Sequence, residues 1–181
     1  LIEDAVSIKN LTYHEAHELA NFGASILHEK TIAPLAEASI PLRILNTFNT
    51  NFEGTVVGSA ISSRGVKSIS VQNDVSLIQI VGAGLLGKVG IDARIFNALE
   101  NQHVSIGVIS QGSSERGVSF IVNQEDATKS VDALNKAFKY ELEHQDIDVI
   151  QSNSTIGVIT VIGQNVNQFH TSLKSLAHND I

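Results

Sequence analysis

The chain has no cysteine, no methionine and no tryptophan among its 181 residues. The missing cysteine excludes disulfides, thiolate metal sites and cysteine nucleophiles. Only two prolines occur and 43% of the residues are apolar, which argues for a folded protein over a disordered one. No apolar run approaches the roughly 20 residues of a membrane-spanning helix. No signal-peptide pattern opens the chain, and a cytoplasmic location is expected. Positive charge is scarce: 12 Lys and Arg against 19 Asp and Glu give a formal net charge of −7. These cations are scattered, so neither nucleic acid nor anionic membrane is an expected partner, since both need a concentrated basic surface. With Leu1 first and no methionine anywhere, the sequence reads as a piece of a longer protein. Its length suits one domain or two small ones.

What is present is a succession of periodic segments. Residues 12–29 open with Thr12-x-x-Glu15, a capping-box pattern, and place Ala16, Leu19, Ala20, Gly23, Ile26 and Leu27 on one helical face. Pro34 and Pro41 bracket a connection; 42–48 and "TVVGSA" read as strands, and 62–65 as a linker. Beyond it, 75–81 is a strand and 91–102 a helix with Ile91, Ile95, Phe96 and Leu99 on one face. Strands follow at 104–110 and 118–122, joined by a polar turn. Asn123 is a candidate cap for a helix in which Ala127, Val131, Leu134, Phe138 and Leu142 keep helical spacing. A last strand falls at 147–152. The order β-α-β-β-α-β predicts an α+β, ferredoxin-like sandwich.

The first strand runs into Gly82-Ala83-Gly84-Leu85-Leu86-Gly87, which spells the dinucleotide motif G-x-G-x-x-G. Two features oppose that reading. The second strand turns straight into a third where a dinucleotide fold needs another crossover helix. The ribose-binding acid is also missing: between Asp92 and Glu115 the one acidic residue is Glu100, inside the helix. A glycine loop before a helix start still suits a smaller anion, such as an amino-acid carboxylate. A tight turn that packs helix on sheet explains the glycines equally well.

"LIQIVGAG" (77–84) returns as "VITVIGQN" (158–165), so one complete unit is followed by a partial, glycine-poor copy. In "SQGSSERG" (110–117), Gln111 is placed to reach a ligand at the helix start, and an ordinary polar hairpin is the alternative. His14, His17 and His28 lack the spacing of a metal-binding H-E-x-x-H, so an exposed helix face is the better account. No catalytic residue and no metal ligand is assigned.

The segment 11–57 resembles the end of an aspartokinase catalytic domain. Phe22, Gly23, Ala24, Leu27, His28, Ile40, Pro41, Asn46, Thr47, Gly54 and Thr55 fit that family's pattern, and Glu29 departs from its usual proline. The stretch 84–122 is similar to the ACT modules that sense end-product amino acids. The similarity is strongest to the bifunctional aspartokinase–homoserine dehydrogenases, through Gln111-Gly112-Ser113-Ser114-Glu115. The resemblance implies three parts: 1–61 as the end of the catalytic domain, 62–152 as a first ACT domain, and 153–181 as the start of a second.

It also implies a regulatory region that is itself catalytically silent, within a parent that uses ATP and Mg to phosphorylate aspartate. The effector would be an amino acid. Threonine is favoured over lysine, because Gly107 stands where lysine-sensing relatives tend to carry an aspartate. Its carboxylate would sit on the N–H groups around Gly90, Ile91 and Asp92. Gln111 and the backbone of Ile106, Gly107 and Val108 would hold its amine and hydroxyl, with Gly84 and Gly87 allowing close approach. ACT units pair side by side, so a homodimer is expected.

Overall fold

Thr12 ends a short strand, β1 (Asn10–Thr12), and caps the helix α1 (Tyr13–Asn21). Its hydroxyl accepts the Glu15 N–H at 3.1 Å while Glu15 Oε2 accepts the Thr12 N–H at 2.8 Å, so both halves of the capping box form. The computed structural model describes residues 6–22, 26–59, 65–112, 116–164 and 169–178. The helix expected over 12–29 stops at Asn21, where the Phe22 N–H returns to the Glu18 carbonyl and Ile26 and Leu27 lie in a turn. Gly23 and Ala24 lie outside the described residues. A second helix, α2 (Glu29–Glu37), starts at His28, whose Nδ1 accepts the Lys30 N–H. Pro34 sits inside α2 and not in a connection. It removes one backbone bond of the helix.

Strands β2 (Leu42–Ile44) and β3 (Thr55–Gly58) follow. The strand expected over 42–48 ends at Ile44, and Asn46 instead turns the chain by accepting the Phe48 N–H at 2.9 Å. β3 lies centrally, parallel to β1 and antiparallel to β2, over a small core of Leu11, Ala16, Ile32 and Val57. The strand β4 (Gly65–Gln72) had no counterpart in the sequence reading.

The second unit opens with β5 (Val75–Val81), then α3 (Ile91–Glu100), β6 (Ile109–Gln111), β7 (Gly117–Asn123), α4 (Ala127–Ala137), α5 (Lys139–Glu143) and β8 (Val149–Asn153). Its sheet has the order β6-β7-β5-β8 with every neighbour antiparallel, the split arrangement of a ferredoxin-like fold. Period 2 decides its faces: Ile78 and Ile80 are fully buried, whereas Leu77 and Gln79, which alternate with them, are half-buried. Val118, Phe120 and Val122 repeat the pattern on β7. Ile91, Ile95 and Leu99, four residues apart on α3, close over that face with Leu134 of α4 and Phe138. Each such side chain contributes about 1.5–3 kcal/mol by leaving water.

Three details depart from expectation. Asn123 makes no capping bond, and the chain enters α4 through a turn of 3-10 helix at Gln124–Asp126. The helix then breaks at Phe138 before α5. The strand expected over 104–110 shrinks to β6. Its earlier part carries a β-bulge, with the Gly107 N–H donating to the Ile121 carbonyl and the Ile121 N–H to the Val108 carbonyl, so two residues oppose one.

The strand β9 (Val158–Gln164) and the helix α6 (Phe169–His178) follow, and β9 pairs with β4. That pairing groups Gly65–Gln72 with the first unit, which comprises Leu1–Gln72 and Ile159–Ile181, and leaves Asn73–Val158 as the second. The boundary expected at residue 62 lies outside the described residues. Among the described residues no helix is long and apolar enough to cross a membrane.

The packing of α4 gives a stability test. Leu134→Ala should cost about 2–5 kcal/mol, read from the denaturation midpoint. Asn135→Ala, next to it and exposed, should stay within about 0.5 kcal/mol.

Candidate functional site

The loop from β5 to α3 is shaped by four glycines that do two different jobs. A Cβ on Gly82 would stand 2.3 Å from the Asp146 carbonyl oxygen, and one on Gly84 would stand 2.5 Å from the Asp146 Cβ. These two glycines admit the chain's own backbone just before β8. The Gly84 N–H donates to the Asp146 carbonyl at 2.9 Å and closes the contact. Gly163, the repeat partner of Gly82, is used the same way, since a Cβ there would meet the Gly65 carbonyl oxygen at 2.1 Å. Gly87 and Gly90 instead supply left-handed backbone, with φ of +68° and +87° and open space around them. Gly90 is the N-cap of α3 and offers no side-chain acceptor to the first-turn N–H groups of the helix.

At that helix start lies a cleft of about 100 Å³, lined by Leu85, Lys88, Gly90, Ile91, Asp92, Gln111 and Val118. Gly90, Ile91, Asp92 and Gln111, singled out in the sequence, thus meet in one place. Gln111 arrives there as the last residue of β6, opposite Val118 on β7. Gly84, Gly87, Ile106, Gly107 and Val108 are not among the lining residues. The bulge already engages the Gly107 N–H and the Val108 carbonyl with Ile121, and Ile106 packs against the core. Ser113, Ser114 and Glu115 lie outside the described residues. Lys88, Leu85 and Val118 are additions the sequence reading missed. Lys88 was readable in principle, since it sits inside the glycine loop itself.

The positive end of the α3 dipole opens into the cleft, which Asp92 lines with a carboxylate and Lys88 with an ammonium paired to Asp146 Oδ2 at 2.6 Å. A volume near 100 Å³ equals roughly three water molecules. Binding pockets for larger ligands run to about 300–1,000 Å³, so the cleft by itself suits a group the size of a carboxylate and its neighbours.

Behind the cleft, α3 is tied to α5. The Arg94 guanidinium donates to both Glu141 oxygens, reaches the Ala137 carbonyl at 2.7 Å, and lies 4.4 Å over the Phe138 ring. Hydrogen bonds from Arg94 hold the Glu141 carboxyl below the usual glutamate range, against the opposing effect of burial. The same bond raises the Arg94 guanidinium above its ordinary value. The Asp146 N–H donates to the Glu141 carbonyl, so this network also fixes the residue that holds Lys88.

Residues 78–138 match the ACT domain family. Over 170 residues, 93% of this chain, the sequence is 32% identical to a bifunctional aspartokinase/homoserine dehydrogenase of Haemophilus influenzae, covering 21% of that protein. A chloroplastic bifunctional aspartokinase/homoserine dehydrogenase 1 of Arabidopsis thaliana is 31% identical over 90% of this chain and 19% of its own length. The chain thus spans about a fifth of the length of these curated relatives. In fold it is similar to the aspartate kinase of Clostridium acetobutylicum, with a TM-score of 0.79, 24% identity, and coverage of 98% of this chain and 42% of that one. It is also similar to Escherichia coli aspartokinase III in complex with lysine and aspartate, at a TM-score of 0.68, 22% identity, and coverage of 90% and 35%. The resemblance to the aspartokinases and the ferredoxin-like ACT fold are both borne out.

The Arg94–Glu141 pair has a pH signature. A carboxyl whose pKa is lowered on folding adds stability above its unfolded value, about 4.3, and loses it as the pH falls through the folded value. Glu141→Gln should therefore cost about 1–2 kcal/mol at neutral pH, Arg94 being partly solvated. It should also flatten the acid limb of stability below about pH 4.3. Urea midpoints of both proteins between neutral pH and pH 3 check this.

Proposed function

We propose that this chain, which carries an ACT domain and resembles the aspartokinases, is the regulatory region of an aspartokinase. In this reading an end-product amino acid, threonine in preference to lysine, binds in the cleft at the start of α3. Binding favours the less active state of the parent enzyme. The observation that carries the reading is the convergence of the α3 N-terminus, Lys88 and Gln111 on one small cleft within the ACT domain. The effector's carboxylate takes the N–H groups of Ile91 and Asp92, and the neutral Gln111 amide meets its amine or hydroxyl. Gly107 stands where, by the resemblance, a lysine sensor tends to carry an aspartate, and this favours threonine although Gly107 lies outside the cleft lining.

The parent transfers phosphate from ATP, with Mg, to the side-chain carboxyl of aspartate, and a homoserine dehydrogenase activity accompanies it in the bifunctional form. This region lacks the family's nucleotide motif and acts without catalysis of its own, in the cytoplasm. It works as a homodimer joined through sheet edges, where the exposed β6 (Ile109 is 51% exposed) would otherwise invite unspecific pairing. Feedback of this kind requires the effector to prefer one state of the parent, typically by about 1–3 kcal/mol.

One observation favours a second reading. Gly82 and Gly84 are filled by the chain's own backbone, as they would be in a dimerisation module that binds nothing.

Thermal melting with threonine, lysine, methionine, S-adenosylmethionine and NAD separates the readings. A ligand at 100 times its Kd adds about 2.7 kcal/mol, or roughly 5–10 °C for a chain of this size. A shift with threonine that Gln111→Ala removes is expected; no shift with any ligand would support the dimerisation module. Gly107→Asp adds a Cβ that would meet Ile121 at no closer than 3.6 Å. It should weaken threonine and improve lysine binding, and unchanged affinities for both would remove the preference.

A further inference from the structure

Among the described residues that line the cleft at the α3 start, Lys88 is the cation and Asp92 the anion. The Lys88 ammonium is already engaged, by a carboxylate that does not itself line the cleft: Asp146 Oδ2 lies 2.6 Å away. The two partners are held very differently. Asp146 is fixed from both sides, its N–H donating to the Glu141 carbonyl at 2.8 Å and its carbonyl accepting the Gly84 N–H at 2.9 Å. A Cβ on Gly84 would stand 2.7 Å from the Asp146 Cγ, so the carboxyl group itself rests against that glycine. Lys88 instead carries its ammonium on a flexible four-carbon stem, with 45% of the side chain exposed. Glu141, the other carboxylate close enough to feel Lys88, is engaged by Arg94.

An ion pair this exposed is weak, and its members part at little cost. While Asp146 neutralises Lys88, Asp92 leaves the mouth of the cleft negative, which opposes a ligand carboxylate. We propose that Asp146 is a resident carboxylate that competes with the effector's own for Lys88, and thereby sets the concentration at which the effector binds. It holds the ammonium until the ligand carboxylate, seated on the α3 N–H groups, takes it over. The proposal rests on the effector reading above and names what tunes affinity at that site. Asp146 is a positioning residue here, acting through Lys88. The opposite role has the opposite sign: if Asp146 served to aim Lys88 at the ligand, losing it would weaken binding.

Threonine titrations followed by the amide resonances of Ile91 and Asp92 test this on the chain as it stands. Asp146→Asn keeps the shape that Gly84 accommodates and removes the charge. It should tighten threonine binding about two- to fivefold, the change that corresponds to an exposed pair. Lys88→Met should weaken binding, and Asp146→Asn added to it should change affinity little, because the competition acts only through the ammonium. Acetate, which has neither amine nor hydroxyl, is a second probe that separates the competition from the choice of effector. A gain in acetate affinity on Asp146→Asn that Lys88→Met abolishes, with no threonine binding in any variant, would support the competition and sink the threonine reading. Threonine binding that Asp146→Asn leaves unchanged or weakens would overturn the inference and leave that reading standing. A gain of equal size in the Lys88→Met background would also overturn it, since loss of negative charge near the cleft would then suffice. Silence to both ligands in every variant would overturn both.

Discussion

The approach of the Gly82–Gly84 backbone to Asp146 is the contact on which the cleft depends. It leaves no room for a Cβ on either glycine, and it fixes where the chain leaves β5 and begins α3. From that anchor the remaining parts follow. The left-handed turns at Gly87 and Gly90 aim the α3 N-terminus, Asp146 holds Lys88 at its edge, and Glu141, bonded through its carbonyl to the Asp146 N–H, holds Arg94 one turn into α3. A motif that spells a dinucleotide loop is thereby largely consumed in packing. What it leaves for a ligand is a helix start, with the Lys88–Asp146 pair at its edge.

Much of the ACT unit was legible because its elements follow simple periods. Ile78 and Ile80 alternate with half-buried neighbours, and Ile91, Ile95 and Leu99 recur every fourth residue. These patterns report one buried face, which the sheet and helices then share. β4 was not legible. Its apolar residues Val66, Ile69 and Val71 remain largely exposed, and its buried Lys67 is paired with Glu15, a carboxylate remote in sequence. The bulge at Gly107–Val108 was equally hidden, because the register of the partner strand creates it.

The cleft shows the same division. Gly90, Ile91, Asp92 and Gln111 could be brought together from sequence because a helix start and the end of an adjacent strand are set by fold order. Asp146 and Glu141 could not, since they act across 58 and 47 residues and nothing local marks them. Of the two uses open to Gly84 in the sequence, room for a ligand or room for packing, the structure has the second, with Asp146 as its neighbour. A glycine records that something comes close, and it does not record what.

Feedback through this region requires that a small amino acid bind at the α3 start. That binding is tested most directly by titrating the isotope-labelled chain with threonine and following backbone amide resonances. Saturable shifts are expected, largest at Ile91 and Asp92, with Gln111 and Lys88 next, and smaller shifts with lysine at equal concentration. Shifts confined to other residues, or none at millimolar threonine, would contradict it.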